Sequence, residues 1–368
     1  MSKTYISSIG TAVPPYKISQ EESVQFMGSA LHLDENEQRK LNILYRATSI
    51  SQRFSVLDDF KKKQDFTFYV NGGTPFPSTA RRMQVYQKHA ATLGIDAIQD
   101  CLRLKPGLIS EISHLITISC TGMYAPGLDI ELIDKLGLAS SIQRTCVNFM
   151  GCYAAFNALK IADYICKSEP DAKVLVVGVE LCTIHLQNST SEDDLMANAL
   201  FADGASAVLL EAKPSFYPAL SLDAFYCGLA SQGKNEMAWK IEDQGFGIRL
   251  SSYIPDLLKD NIRFLVHGLL DKLNLRLEEI QNFAIHPGGK KILESVEKSL
   301  EISRDKNMAA YETLKNFGNM SSVTILFVLK NIMQKLSKIQ DKEKILAMAF
   351  GPGLTLESAL FKIHYEGS

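Results

Sequence analysis

Apolar and polar residues change rhythm along the chain, and each rhythm predicts an element. Residues 4–13 alternate as a strand does, successive side chains facing opposite ways. In "SQEESVQFM", Ser19 and Glu22 have capping-box spacing, which predicts a helix start. Residues 35–47 read as a polar helix and 80–103 as a long amphipathic one, while 57–80, punctuated by "NGGTPFPS", reads as loop. "HLITISC" predicts a strand and "PGLDIELIDKLGL" a helix. "QRTCVNFM" is strand-like and leads into a long apolar helix, "VNFMGCYAAFNALKIADYI", with Cys152 at its mouth. "AKVLVVGVE" is a β-branched run of the fully buried kind, and "ALFADGASAVLLEA" reads as two short strands around a Gly turn.

The second half repeats this grammar. "QNFAIHPGG" is a strand into a turn and "KKILESVEKSL" a helix. "NFGNMSSVTILFVLKNIMQKL" is a loop into an apolar helix, a charged linker follows, and "EKILAMAF" is a strand. "GPGLTLESALFKI" closes the chain as "ADGASAVLLEA" closes the first half. The order recurs at a spacing of roughly 150 residues, too long for a solenoid, and implies an internal duplication with halves 1–214 and 215–368. Mixed helices and buried strands imply an α/β layer architecture. Neither apolar helix has a clear polar face, so both should lie sandwiched between sheets. A two-fold arrangement would bring both helix N-termini to one central region, where partial positive charge and free N–H groups favour a thiolate or an oxyanion.

Composition narrows the classes. Of 368 residues, 46% are apolar and 22% charged, as in an ordinary globular protein, and the net charge of -2 gives no sign of a nucleic-acid partner. The one dense basic run, Lys61-Lys62-Lys63, is flanked by Asp58, Asp59 and Asp65 and reads as a solvated loop. Seven cysteines show no CxxC and no Cys/His ligand spacing, which argues for reduced thiols and no metal site. No signal-peptide pattern opens the chain, and no apolar run approaches the roughly 20 residues that span a bilayer. A soluble cytoplasmic protein with no membrane contact is the expectation.

Three polar residues stand at strand or helix ends: Cys152, His286 in "AIHPGG" and Asn319 in "GNMSS". Ligands bind at strand carboxyl ends in α/β sheets. A thiol beside an imidazole can exist as a nucleophilic thiolate–imidazolium pair, and an Asn amide can donate to a developing oxyanion. Each alone has a structural reading, as core filling, a buried His or a cap, but the joint pattern at duplicated helix starts points to catalysis. Cys120, in "SCTGMYAPG", is a weaker candidate for the same cavity.

"GCYAAFNALK", "HPGGKKILESVE", "GNMSS" and "FGPGLTLE" resemble the type III polyketide synthases, the chalcone synthase-like enzymes of the thiolase superfamily. "HLITISCTGMYAPGLDIELIDKLGL" and "ALFADGASAVLL" match too, so the resemblance covers nearly the whole chain. It implies the five-layered αβαβα thiolase-like fold in two pseudo-duplicated halves, and a homodimer. It implies that Cys152 takes an acyl group from acyl-CoA, and that His286 and Asn319 stabilise the enolate left when malonyl-CoA loses carbon dioxide. Coenzyme A thioesters would be substrates, with no bound cofactor. The resemblance also places Phe201, Ile248, His185, Ser321 and Gly353 around the acyl cavity. It sets Gly288 and Gly289 along the pantetheine arm and Lys40 at the coenzyme A entrance, near Arg39 and Arg46. Ile248 departs from the plant pattern at an aromatic gate position, and Ala125 stands where plant members carry a methionine; both favour an aliphatic starter over an aromatic one. A pyrone, a resorcinol or a phloroglucinol product fits this skeleton. A ketoacyl synthase using acyl carrier protein is the nearer alternative, and a papain-like cysteine protease or an inactive scaffold the more distant ones.

Overall fold

The computed structural model describes residues 3–70, 76–230, 233–234, 236–250 and 254–367. The "NGGTP" part of the expected 57–80 loop, residues 71–75, lies outside the described residues.

The first half contains strands β1 (Tyr5–Ala12), β2 (Tyr16–Ser19), β3 (Gln52–Ser55), β4 (His114–Ser119), β5 (Gln143–Asn148), β6 (Lys173–Leu181) and β7 (Asp203–Glu211). Its helices are α1 (Gln20–Ala30), α2 (Glu35–Ala47), α3 (Thr79–Cys101), α4 (Leu128–Leu136), α5 (Ala154–Ser168) and α6 (Glu192–Leu200). The second half contains β8 (Ala219–Leu229), β9 (Met237–Glu242), β10 (Gly245–Leu250), β11 (Asn282–Ile285), β12 (Lys344–Gly351) and β13 (Thr355–His364), with helices α7 (Ile254–Lys272), α8 (Lys290–Leu300), α9 (Met308–Phe317) and α10 (Thr324–Lys335). Ser19 caps α1 through the expected box: its hydroxyl accepts from the Glu22 N–H, and Glu22 reaches back to the Ser19 N–H.

Among the described residues, nine strands form one sheet in the order β11-β12-β13-β8-β1-β7-β6-β4-β5. The order β4-β6-β7-β1 is mirrored by β11-β12-β13-β8. In each set the first pair is parallel and the next two are antiparallel. The halves meet at β1 and β8, where Tyr5 pairs with Ser221 and Ile6 with Leu220. This is the duplication read in the sequence, and the apolar helices behave accordingly. Every residue of α10 from Thr324 to Leu329 is buried, and α5 buries Ala154, Ala155, Phe156, Ala158, Leu159 and Ala162 in the same core.

One local expectation needs correction. "ALFADGASAVLLEA" is not two strands around a turn: α6 ends at Leu200, and one nine-residue strand, β7, begins at Asp203. Gly204 serves close approach instead, since an added Cβ would lie 2.4 Å from the Met320 Sδ. The described part of the 57–80 loop is ordered by buried Asp59, whose carboxylate accepts from the N–H groups of Thr67, Phe68 and Tyr69 at 2.7–2.8 Å. The basic run is surface chemistry as expected, with Lys61 on Glu22 at 2.6 Å and Lys62 on Asp58 at 2.8 Å.

Candidate active site

The mirrored topology pairs the site residues. Cys120 follows β4 and His286 follows β11; Cys152 precedes α5 and Asn319 precedes α10. All four line one cavity of about 790 Å³.

Cys152 sits in a tight turn two residues before α5, not within the helix. Phe149 (φ 61°) and Gly151 (φ 86°) both take left-handed backbone conformations. Gly151 must be glycine: an added Cβ would stand 2.1 Å from the Pro352 Cδ. Its N–H donates to the Cys120 Sγ at 3.0 Å, and the Cys120 thiol donates to the Gly151 carbonyl at 3.4 Å, so Cys120 braces the turn. The Cys152 thiol donates to the Ser321 Oγ at 3.8 Å. Burial pushes this thiol up to about 12; the Ser321 hydrogen bond works against that, and negative Glu180 adds to it.

His286 is held by its own N–H on the Met348 carbonyl at 2.8 Å, and its carbonyl accepts from Gly288 at 2.9 Å. Its side chain is buried, and neither ring nitrogen has a partner. Burial lowers its pKa to about 3. Burial thus works against the charged form of each, the thiolate of Cys152 and the imidazolium of His286. Unpartnered buried nitrogens are costly, about 1–3 kcal/mol each, which marks the imidazole as built for a ligand.

Asn319 is fixed on every side but one. Its N–H donates to the Leu200 carbonyl at 2.8 Å and its carbonyl accepts from Ala202 at 2.9 Å. Its Oδ1 accepts from the Ser321 N–H at 2.9 Å, which sets the amide orientation. The Nδ2 makes one long bond to the Gly288 carbonyl at 3.4 Å, so one of its two N–H groups is left for a ligand. Ser321 holds φ at 48°, a strained value at a site where strain positions a side chain.

Phe201, Ile248, Gly288, Gly289, Ser321 and Lys40 also line this cavity, whereas His185 and Gly353 do not. His185 stands behind the wall as a neutral imidazole, its pKa lowered to about 3 by burial. Its Nε2 donates to the Thr121 carbonyl at 2.7 Å and its Nδ1 accepts from the Phe246 N–H at 3.0 Å, which fixes the tautomer. Its ring stacks on Phe246 at 4.3 Å. Gly353 (φ 75°) turns the chain between β12 and β13, and its neighbours Pro352 and Phe350 reach the cavity instead.

Sequence reasoning missed Trp239 and Glu180. Trp239, on β9, lines the cavity and donates its indole N–H to the Cys120 carbonyl at 2.8 Å. The alternation in "MAWKIE" and "GFGIRL", with Gly245 at the turn, was the available signal for this hairpin. Glu180 is fully buried at the end of β6 and accepts from the Cys120 N–H at 3.0 Å, from the Thr121 hydroxyl at 2.7 Å and from the Ser322 hydroxyl. Burial raises its pKa. A lone acid closing the apolar run "AKVLVVGVE" was its signal. Among the described residues no cluster of His, Cys, Asp and Glu is arranged to hold a metal ion.

A mirrored sheet with a cysteine, a histidine and an asparagine converging on one cavity defines a thiolase-like condensing enzyme. Residues 1–214 match the family described as chalcone and stilbene synthases, N-terminal domain, and residues 226–364 match the corresponding C-terminal domain. The chain belongs to this family, the type III polyketide synthases, and is an acyltransferase of the condensing kind. It is 31% identical over 97% of its length, and 91% of the relative's, to the alpha-pyrone synthesis polyketide synthase-like Pks18 of Mycobacterium tuberculosis. It is 28% identical to type III polyketide synthase A of Arabidopsis thaliana, over 98% of this chain and 93% of that one. The crystal structure of PKS-I from the brown alga Ectocarpus siliculosus superposes with a TM-score of 0.89 at 27% identity, covering 98% of each chain.

Proposed function

We propose that Cys152 accepts an aliphatic acyl group from acyl-CoA and that the chain extends it with malonyl-CoA before cyclising the product as a pyrone, a resorcinol or a phloroglucinol. The observation that carries this reading is the convergence, on one largely apolar cavity, of a thiol, an imidazole without a partner and an amide with one N–H left for a ligand.

The steps begin with both groups uncharged, the form that burial favours. When a thioester carbonyl arrives, the Cys152 proton passes to the His286 imidazole. The thiolate forms the new C–S bond, and the coenzyme A sulfur leaves and takes up the proton. Malonyl thioester then loses carbon dioxide, and its electron pair becomes an enolate. The Asn319 N–H and a His286 N–H donate to the enolate oxygen, stabilising charge where it develops. Its carbon attacks the acyl carbonyl, and Cys152 departs as a thiolate. A neutral imidazole suits this role, since one nitrogen donates while the other stays free to accept.

Leu41, Leu44, Met196, Ile248, Leu250 and Ile254 line the cavity, which supports an aliphatic starter. Exposed edge strand β5 supports a homodimer: five of its six residues face outward. The halves divide at 214/215 on this reading. Seven free cysteines suit a reducing cytoplasm. No helix among the described residues is long and apolar enough to cross a membrane.

Product formation from malonyl-CoA and a panel of acyl-CoAs tests the scheme. Cys152→Ala should abolish products. Asn319→Ala should slow carbon dioxide release by about 100- to 1,000-fold, the usual effect of losing one oxyanion donor. Unchanged release in Asn319→Ala would remove the amide from the mechanism.

A further inference from the structure

One wall of the cavity is a hairpin that stands apart from the main sheet. Among the described residues β9 and β10 pair only with each other, and Met237, Ala238, Trp239, Ile248 and Leu250 of the two strands line the cavity. A lone two-stranded hairpin is marginally stable in water, so contacts from outside set where this wall stands. At the tip, α3 supplies them. The Thr79 N–H donates to the Asp243 carbonyl at 2.8 Å. The Thr79 hydroxyl donates to the Glu242 carbonyl and accepts from the Gly245 N–H at 2.8 Å. Arg82, fully buried, lies against the same tip. An added Cβ at Gly245 (φ 105°) would stand 2.7 Å from the Arg82 Cδ and Nε, so only glycine lets the turn and the guanidinium meet.

A fully buried arginine is rare unless a carboxylate answers it. Among the described residues Arg82 forms no ion pair, and its N–H groups donate to neutral oxygens: the Pro77 carbonyl at 2.8 Å, the Tyr69 hydroxyl at 3.3 Å, the Leu186 carbonyl at 3.0 Å and the Ile184 carbonyl. The last two flank His185. The His185 Nδ1 accepts from the Phe246 N–H, its ring stacks on Phe246, and Trp239 stands edge-on to both rings at 5.9 Å. Burial lowers the His185 pKa to about 3 and the Arg82 charge adds to that, which keeps the imidazole in the neutral form that can accept. Arg82 therefore reaches the hairpin twice, directly at Gly245 and through His185 at Phe246, yet it does not line the cavity.

We propose that Arg82 is a positioning residue for the condensing reaction: it fixes the β9–β10 wall, and with it the fit of the acyl chain, without touching that chain. This rests on the reading of Cys152 as the acyl acceptor. The planar guanidinium offers several donors in fixed directions, which is what holding carbonyls on both sides of His185 requires. A lysine there keeps the charge and loses the fork.

The test uses Arg82→Lys and Thr79→Val, which loosen the tip from two sides, the second without disturbing a buried charge. Each is compared with wild type on saturated acyl-CoA starters that differ by two methylenes. The advantage of the preferred starter in kcat/KM should fall about tenfold in both variants, since fit at a single methylene is worth a factor of that order. The emission of Trp239, the one tryptophan in the chain, should move to the red with no substrate present, as the indole leaves the Cys120 carbonyl and meets water. A lower melting temperature with emission and starter preference unchanged would make Arg82 an ordinary core residue and overturn the proposal. A red shift in a protein that loads no acyl group would leave the clamp standing and sink the Cys152 chemistry. Normal loading beside unchanged emission and preference would do the reverse.

Discussion

Burial disfavours the charged forms of both Cys152 and His286, because it removes the water that would solvate either ion. This has a consequence for stability. His286 and His185 hold folded pKa values of about 3 against an ordinary 6.5. Between those values the unfolded chain binds protons that the folded chain refuses, so stability falls as pH drops below 6.5. From pH 6.5 to 5 each buried imidazole should remove about 2 kcal/mol. Thermal unfolding across that range should show the loss, and His286→Gln should recover about half of it. An unaltered slope in the variant would mean that His286 is protonated, or wet, in the folded protein. The residue types at the site were legible because Cys, His and Asn sit at element ends. Their protonation was not, since it depends on burial among residues distant in sequence.

At the scale of elements, the strands and helices with strong periodicity were readable almost to the residue: α2 spans the expected 35–47, and β12 lies one residue along from the expected "EKILAMAF". Failures came where contacts from elsewhere override a local signal. Gly204 looks like a turn and is a slot for Met320. The β9–β10 hairpin escaped notice, and with it Trp239, the one tryptophan in the chain. The resemblance puts His185 in the cavity, yet its hydrogen bonds hold it against Thr121 and against Phe246 of that hairpin instead. Trp239 supplies a reporter. Loading an aliphatic acyl group should replace water beside the indole and shift its fluorescence to the blue. A wild type that loads acyl groups with no spectral change would place the acyl chain away from β9.

The whole molecule is built from two similar halves whose likeness lies in strand order, not in the side chains of the site. One half offers thiols after β4 and before α5; the other offers an imidazole and an amide at the matching places. Divergence of a duplicated frame thus puts the two thiols on one half and the imidazole and the amide on the other. The frame leaves β5 at the sheet edge, paired on one side to β4 and exposed on the other. Sedimentation at micromolar concentration should give twice the mass of one 40.8 kDa chain. Thr145→Asp/Cys146→Asp should shift the protein toward the monomer, because charge on an exposed edge opposes strand pairing. A monomeric wild type would remove β5 as the interface.

The central claim is that Cys152 is the acyl-bearing nucleophile. Intact-protein mass spectrometry after brief incubation with a long-chain acyl-CoA, followed by peptide mapping, tests it most directly. The account predicts one added acyl mass on the peptide that contains Cys152, retained in Asn319→Ala and absent from Cys152→Ala. An acyl mass on Cys120 or Cys182, or a label of equal size on Cys152→Ala, would contradict it.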